Sequence, residues 1–201
     1  MFEKIISGFN NKTAENLLLD AGAFFKNYDM ETDSFDKAVT AGKLIGATRG
    51  GGQFNATPDI RQIEVDGVKG RAKGLEALDS WEVSLGANVL EVTKDTLQMA
   101  LGAAVVDAET NQDYDIIKAK NGIALEDYIE NITWVGTLSG SNKPAIIQVY
   151  NALNMGGLSI QTQSKNEAVL AMTFTGHYDA GELDNPPFAI YYPKVNVTEG
   201  V

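Results

Sequence analysis

Nine residues, Trp81 to Val89, restrict this chain more than any other feature of its sequence. Trp81, Val83, Leu85, Ala87 and Val89 alternate with Glu82, Ser84, Gly86 and Asn88. Successive side chains of a β-strand point to opposite faces, so a period of two describes a strand with one face buried and the other wet. A helix would scatter the same residues around its circumference. The pattern returns later: Leu170, Met172, Phe174 and Tyr178 oppose Ala171, Thr173, Thr175 and His177, and Ile132, Trp134 and Leu138 oppose Asn131, Thr133 and Thr137. Shorter candidate strands cover Leu17 to Phe25, Gln62 to Val65, Ile146 to Tyr150 and Leu158 to Thr162. Seven such runs, punctuated by Gly, Asn and Asp, predict a mainly β domain, a sandwich or a barrel.

One flanking helix is expected at about 94–104. Thr93 caps it, Asp95 suits the positive end of its dipole, and Leu97, Leu101 and Ala104 follow at helical spacing. A second short helix is expected near Leu125, through Glu126-Asp127-Tyr128-Ile129. Three stretches read as long inter-strand loops: Asp29 to Thr48, rising into Gly50-Gly51-Gly52; the basic, glycine-punctuated Asp66 to Gly74; and the polar, acidic Asp107 to Gly122. Loops this long in a compact domain commonly serve binding. No linker or repeat divides the chain, so residues 1–193 are expected to form one domain and 194–201 a polar C-terminal tail, ordered only where something holds it.

Absences narrow the function. The 201 residues contain no cysteine and a single histidine, His177. Thiolate nucleophiles, disulfides and Cys-ligated zinc are excluded, and a His-based relay or metal site has almost nothing to work with. The expectation is a protein that is not an enzyme and takes no cofactor. No apolar run approaches the ~20 residues of a membrane span, and Met1 to Gly8 lacks the apolar stretch of a signal peptide. Synthesis and folding in a cytoplasm are therefore expected.

The net charge of −11 argues against a protein that grips nucleic acid, which needs a basic stripe to neutralise phosphates. That charge is uneven. From Lys37 to Glu76 seven basic residues face four acidic ones, a net +3, which leaves −14 on the rest. Chance clustering on a solvated surface is one reading. The other is a basic surface that docks on an acidic surface of an identical neighbour, with complementary potentials fixing register.

Chemical motifs fail on inspection. Gly50-Gly51-Gly52 is not followed by Lys-Ser or Lys-Thr and opens no helix, so it reads as a bend where backbones approach closely, not as a phosphate loop. Asp107, Glu109, Asn111 and Asp113 begin like a calcium loop, but Gln112 stands where the turn needs glycine and Lys118 where a bidentate glutamate belongs, which leaves a solvated acidic loop. The Asn-x-Thr sequons at Asn11, Asn55, Asn131 and Asn196 carry no weight without secretion. His177, on the strand face opposite Phe174, is read as a surface or structural residue. Tyr150, Tyr178, Tyr191 and Tyr192 could stack on sugars in a solitary β-sandwich binding module, although packing explains them more cheaply.

Two longer blocks carry a resemblance. The first is Ala14-Glu15-Asn16-Leu17-Leu18-Leu19-Asp20-Ala21-Gly22-Ala23-Phe24-Phe25. The second runs from Gly42-Lys43-Leu44-Ile45-Gly46-Ala47-Thr48-Arg49 through the three glycines to Pro58-Asp59-Ile60-Arg61-Gln62-Ile63-Glu64-Val65-Asp66-Gly67 and Lys69-Gly70-Arg71. Ser80 to Leu85 and Asn88 to Thr93 continue it. Over residues 14–100 the chain resembles the major tail proteins, or tail-tube subunits, of long-tailed phages and prophages of Gram-positive bacteria. The resemblance implies a β-sandwich of the tail-tube type with a flanking helix, assembled as hexameric rings whose sheets close into a lumenal barrel and whose stacking builds a tube. It implies an acidic lumen that conducts genomic DNA without binding it, and location in the virion tail after assembly in the host bacterial cytoplasm. Implied partners are further copies of the chain together with tape-measure, terminator and baseplate proteins. An inner-tube subunit of a phage-derived bacteriocin or contractile injection particle would look alike. On this reading Gln62, Glu64, Glu82 and Ser84 are candidates for the lumenal face. Lys43, Arg49, Lys69, Arg71 and Lys73 are candidates for contacts between subunits or rings.

Overall fold

A computed structural model describes residues 8–194. In chain order the elements are β1 (Leu18–Lys26), α1 (Phe35–Thr40), β2 (Thr48–Gln62), β3 (Glu76–Val89), α2 (Lys94–Leu101), β4 (Ala104–Asp107), β5 (Ile116–Ala119), β6 (Ile129–Leu138), β7 (Ala145–Asn154), β8 (Ile160–Gln163), β9 (Asn166–Thr175) and β10 (Phe188–Tyr191). The fold is mainly β, with every strand pair antiparallel.

Eight strands form one hydrogen-bonded path, β1-β6-β7-β9-β3-β2, with β10 added to β7 and β8 to β9. β7 joins the two halves. Most of its length pairs with β6 and β10, but its last residues, Leu153 and Asn154, pair with Thr175 and Phe174 of β9. A first sheet (β1, β6, β7, β10) thus passes into a second (β2, β3, β9, β8). Between them lies the core: Phe24, Ile132 and Val149 from the first, and Val83, Leu85, Val89, Leu170, Met172 and Phe174 from the second. The alternating residues of β3 and β9 are the buried ones the sequence picks out, each large side chain stabilising the fold by roughly 1.5–3 kcal/mol. β9 itself stops at Thr175, short of His177 and Tyr178.

α2 begins at the expected residue. Thr93 Oγ1 accepts from Thr96 N–H, and Thr96 Oγ1 accepts in return from Thr93 N–H. It ends at Leu101, three residues before Ala104, because Gly102 sits at φ +72° with Asn154 O only 2.7 Å from where a Cβ would stand. The buried Asn154 fixes this corner: its Nδ2 donates to Ala100 O and its Oδ1 accepts from Thr173 N–H at 2.9 Å. The second expected helix is a single 3-10 turn, Leu125–Asp127.

The expected loops are partly structured. The acidic one carries β5, which pairs back on β4 just before it, and the first holds α1, capped by Ser34. Residues 27–46 cover the outer face of the first sheet, where Phe25, Tyr28, Ala38, Val135 and Ile146 make a second, smaller core. That cover buries Thr133, expected on a wet face, together with Gln148. Gln148 Nε2 donates to Tyr28 O at 2.8 Å and Thr133 Oγ1 at 3.0 Å, so neither polar group lacks a partner.

The largest departure is β2. Its fifteen residues include three glycines and Pro58, and the expected strand over Gln62 to Val65 amounts to its last residue alone. As an edge strand β2 tolerates the proline. Its pairing with β3 slips between Thr48 and Gly52, so the glycines form a bulge, with Gly50 and Gly51 at positive φ. At Gly52 an added Cβ would stand 2.1 Å from Gly86 O and 2.4 Å from Phe24 Cζ, the close approach expected of this stretch. The polar tail expected over 194–201 lies outside the described residues from 195 onward.

Candidate functional site

The second sheet turns its outer face to solvent with nothing folded over it among the described residues. Gln53, Asn55 and Thr57 of β2, Glu82, Ser84, Gly86 and Asn88 of β3, and Ala171, Thr173 and Thr175 of β9 share that face, because residues in register across antiparallel strands point the same way. Asn55 Nδ2 donates to Ser84 Oγ at 3.4 Å. Every one of these side chains is small or polar, and Val83, Leu85 and Ala87 point the other way into the core. Two arginines border the face, and each is matched. Arg49 pairs with Glu167, whose carboxyl is held below its usual range by the guanidinium, and Arg61 grips Asp79 through Nε at 2.9 Å and Nη2 at 3.2 Å. Among the described residues Asp59 and Glu82 enter no ion pair, so the face is left acidic.

At one end of this sheet the β2–β3 ribbon outruns the sandwich. Its last covered level is Trp81, whose N–H donates to Tyr178 Oη at 2.8 Å and whose ring meets Phe188 edge-on at 5.5 Å. From there β3 extends back to Glu76, about 17 Å at roughly 3.3 Å per residue. Between Asp59 and Ile60 the register slips by one, because β3 carries an extra residue, Asp79. The bulge keeps Leu78 on the same side as Trp81 and sets it directly opposite Ile60. This rung continues the core-facing side beyond any cover among the described residues: Ile60 is 53% and Leu78 55% exposed. Ile63, Val65 and Val68 in the connecting tip are exposed as well.

The candidate residues are therefore regrouped. Glu82 and Ser84 lie on the bare polar face. Gln62 does not join them; by alternation along β2 it falls on the opposite side of the ribbon, and its Nε2 donates to Gly70 O at 3.0 Å. Glu64 lies past the end of β2, in the tip. Lys69, Arg71 and Lys73 are exposed at that tip, and none takes part in an ion pair among the described residues. Arg49 borders the bare face. Lys43 is committed within the subunit: its Nζ lies 2.6 Å from Asp33 Oδ2, clamping the cover over the first sheet. Asp33 is held below its usual carboxyl range, first by the Asp29 N–H it accepts and then by Lys43. Sequence reasoning missed the Ile60–Leu78 rung because a bulge, invisible in one strand alone, puts the two residues in phase.

The other motifs resolve as local structure. His177 Nδ1 lies 3.0 Å from Asn151 O, and its ring meets Tyr128 edge-on at 5.1 Å. Asp107 caps its own turn, accepting from Glu109 and Thr110, and pairs with Lys118 at 2.7 Å. Lys118 and Thr110 hold its carboxyl far below the usual range. No group of three or more His, Asp or Glu side chains among the described residues is placed to hold a metal ion. No described helix is long and apolar enough to cross a membrane. The aromatic hydroxyls are engaged: Tyr150 and Tyr191 meet at 3.1 Å, Tyr178 accepts from Trp81, and Tyr192 donates to Asn16 at 3.3 Å. Compared with known proteins, the sequence matches no protein-family model and no curated protein.

Proposed function

We propose that this chain is a structural subunit that polymerises with its own copies into a tube, as the major tail protein of a long-tailed phage does, and that the bare face of its second sheet lines the channel through which DNA passes. The observation that carries the reading is the β2–β3 ribbon. Among the described residues it combines a fifteen-residue strand with one edge unpaired, an apolar rung with no cover and a tip of three cations outside any ion pair, on a chain of net charge −11. An exposed strand edge is a template for another chain, and proteins that remain monomeric blunt such edges. A heterologous contact of this kind propagates into rings and filaments. The lining then works by weak interaction: small polar side chains hold water, matched arginines offer phosphates no free cation, and Asp59 and Glu82 repel them. Glu82 and Ser84 belong to that lining, and Lys69, Arg71 and Lys73 to the contact with a neighbour. The same subunit would serve a DNA-free injection particle. A solitary sugar-binding sandwich is less well supported, because the tyrosines such a site would use spend their hydroxyls on one another and on the fold.

The test is assembly. Concentrated protein imaged in negative stain is expected to show tubes, and sedimentation is expected to show growth with concentration that salt weakens. Replacing Lys69, Arg71 and Lys73 together by glutamate is expected to abolish tubes while leaving a folded monomer. A protein that stays monomeric at every concentration, or tubes that survive the triple replacement, would remove the reading or its contact surface respectively.

A further inference from the structure

The acidic loop that fails as a calcium site stands out again in the folded chain. Residues 108–115 join β4 to β5, and all of them are exposed. The turn is built by its own side chains. Asp107 accepts from Glu109 N–H and Thr110 N–H, and Asn111 Oδ1 accepts from Asp113 N–H at 2.8 Å and Tyr114 N–H at 3.1 Å. Three carboxylates lie in the loop and no cation. Asp115 is spent on Lys94 at 3.2 Å, whereas Glu109 and Asp113 enter no ion pair among the described residues. Next to Asp113, the ring of Tyr114 is 73% exposed. Acid and apolar surface on one fixed turn suit a partner that carries cations beside apolar groups.

The chain itself carries such an element. At the tip of the β2–β3 ribbon, Ile63, Val65 and Val68 are exposed, and Lys69, Arg71 and Lys73 follow with no acidic residue between them. Within one subunit the two surfaces stand apart. β3 leads from the tip at Glu76 to Val89, about 43 Å at roughly 3.3 Å per residue, and α2 begins a few residues later at Lys94. The Lys94–Asp115 pair holds the loop at the start of α2, so tip and loop lie at opposite ends of β3. A contact that repeats along a tube joins unlike ends of copies in one orientation, which is the relation these surfaces have. A second group of carboxylates fits less well. Asp179, Glu182 and Asp184 follow Tyr178, whose Oη accepts from Trp81 N–H at the root of the free ribbon, so they stand at the tip's own end.

We propose that the ribbon tip of one copy docks on the 108–115 loop of the next, with Lys69, Arg71 and Lys73 against Glu109 and Asp113 and the tip's valines against Tyr114. The inference rests on end-to-end assembly of the chain and names the surface that receives the tip. Complementary charge fixes the register and speeds encounter, and the apolar contact adds hold. Because the receiving carboxylates sit on a prebuilt turn, little ordering is needed on that side.

The chain has no cysteine, so single thiols report the contact without background. Val68→Cys protein carrying a size tag is mixed at high concentration with untagged Tyr114→Cys protein and mildly oxidised. A mixed disulfide dimer is expected in excess of both homodimers and is expected to fade in high salt. Val68→Cys with Leu183→Cys, on the other acidic segment, is expected to give none. Tubes are scored separately. Glu109→Lys with Asp113→Lys is expected to abolish them, and adding Lys69→Glu, Arg71→Glu and Lys73→Glu is expected to restore them. Glu182→Lys with Asp184→Lys, an equal change of charge, is expected to leave them intact. Tubes without the mixed dimer, tubes that survive the loop reversal, or no recovery in the combined variant overturn the docking and leave the tubular reading standing. A mixed dimer from protein that never forms tubes keeps the contact and overturns the tube. Neither dimer nor tubes overturns both.

Discussion

The two outer faces of the sandwich carry similar strand patterns and meet opposite fates. On the first sheet, Phe25, Thr133, Val135, Ile146 and Gln148 point outward and are buried, because residues 27–46 fold back across them. On the second, Asn55, Glu82, Ser84 and Thr173 point outward and stay open to water. A covered face mixes large apolar groups with polar ones, each polar group tied to a specific partner. A bare face uses small polar groups that need only water. The contrast shows that alternation fixes which residues share a side of a strand, whereas what lies above that side depends on a segment elsewhere in the chain. It also marks where the molecule has finished folding and where it has surface to spare.

Substitution should sharpen the contrast, beginning with the core. Phe25→Ala removes a fully buried ring and is expected to cost about 3–5 kcal/mol in denaturant unfolding. Thr173→Ala on the bare face is expected to stay within about 0.5 kcal/mol of the parent. Equal effects would erase the distinction. Gln148→Leu strips Tyr28 O and Thr133 Oγ1 of a shared donor but leaves each its bond to Asn131, so it is expected to cost about 0.5–1.5 kcal/mol, the net worth of a hydrogen bond.

Acid should loosen the covered face. Asp33 is held below its usual value in the folded state, so its contribution is complete above the unfolded pKa near 4 and declines as pH falls through the lower folded value. Protection of the amides over residues 29–46, relative to an unfolded chain at the same pH, is expected to fall below about pH 4, and Asp33→Asn is expected to show that lower protection at neutral pH. The smallest effect belongs to the bare face: Glu82→Gln and Ser84→Ala are each expected to leave stability within about 0.5 kcal/mol. A loss above 1 kcal/mol from either would mean that something covers that face in the free subunit.

Much of this plan was legible beforehand. The buried sides of β3 and β9 follow from period two alone, and the start of α2 follows from Thr93. Three things were not. The length of β2 was hidden by its glycines and Pro58, residues that local propensity counts against a strand and that an edge position with a bulge accommodates. The burial of Thr133 was hidden because its cover lies about a hundred residues away. Of the candidate site, Glu82 and Ser84 were placed by alternation, and the tip cations by their glycine-rich surroundings. Gln62 falls on the other side of the ribbon from Glu82, because β2 ends there and not at Val65. The pairing of Lys43 with Asp33 was not legible, because no spacing rule announces that Asp33 will be beside it.

Asp79 gives the far half of the ribbon its bend rather than its phase. One supernumerary residue in β3 lets Leu78 face Ile60 across the bulge. Delete it, and Leu78 follows Ser80 in unbroken alternation, still opposite Ile60, while the kink and the grip of Arg61 on Asp79 are lost. A missing codon here would straighten the ribbon and re-aim its tip without turning its greasy side outward.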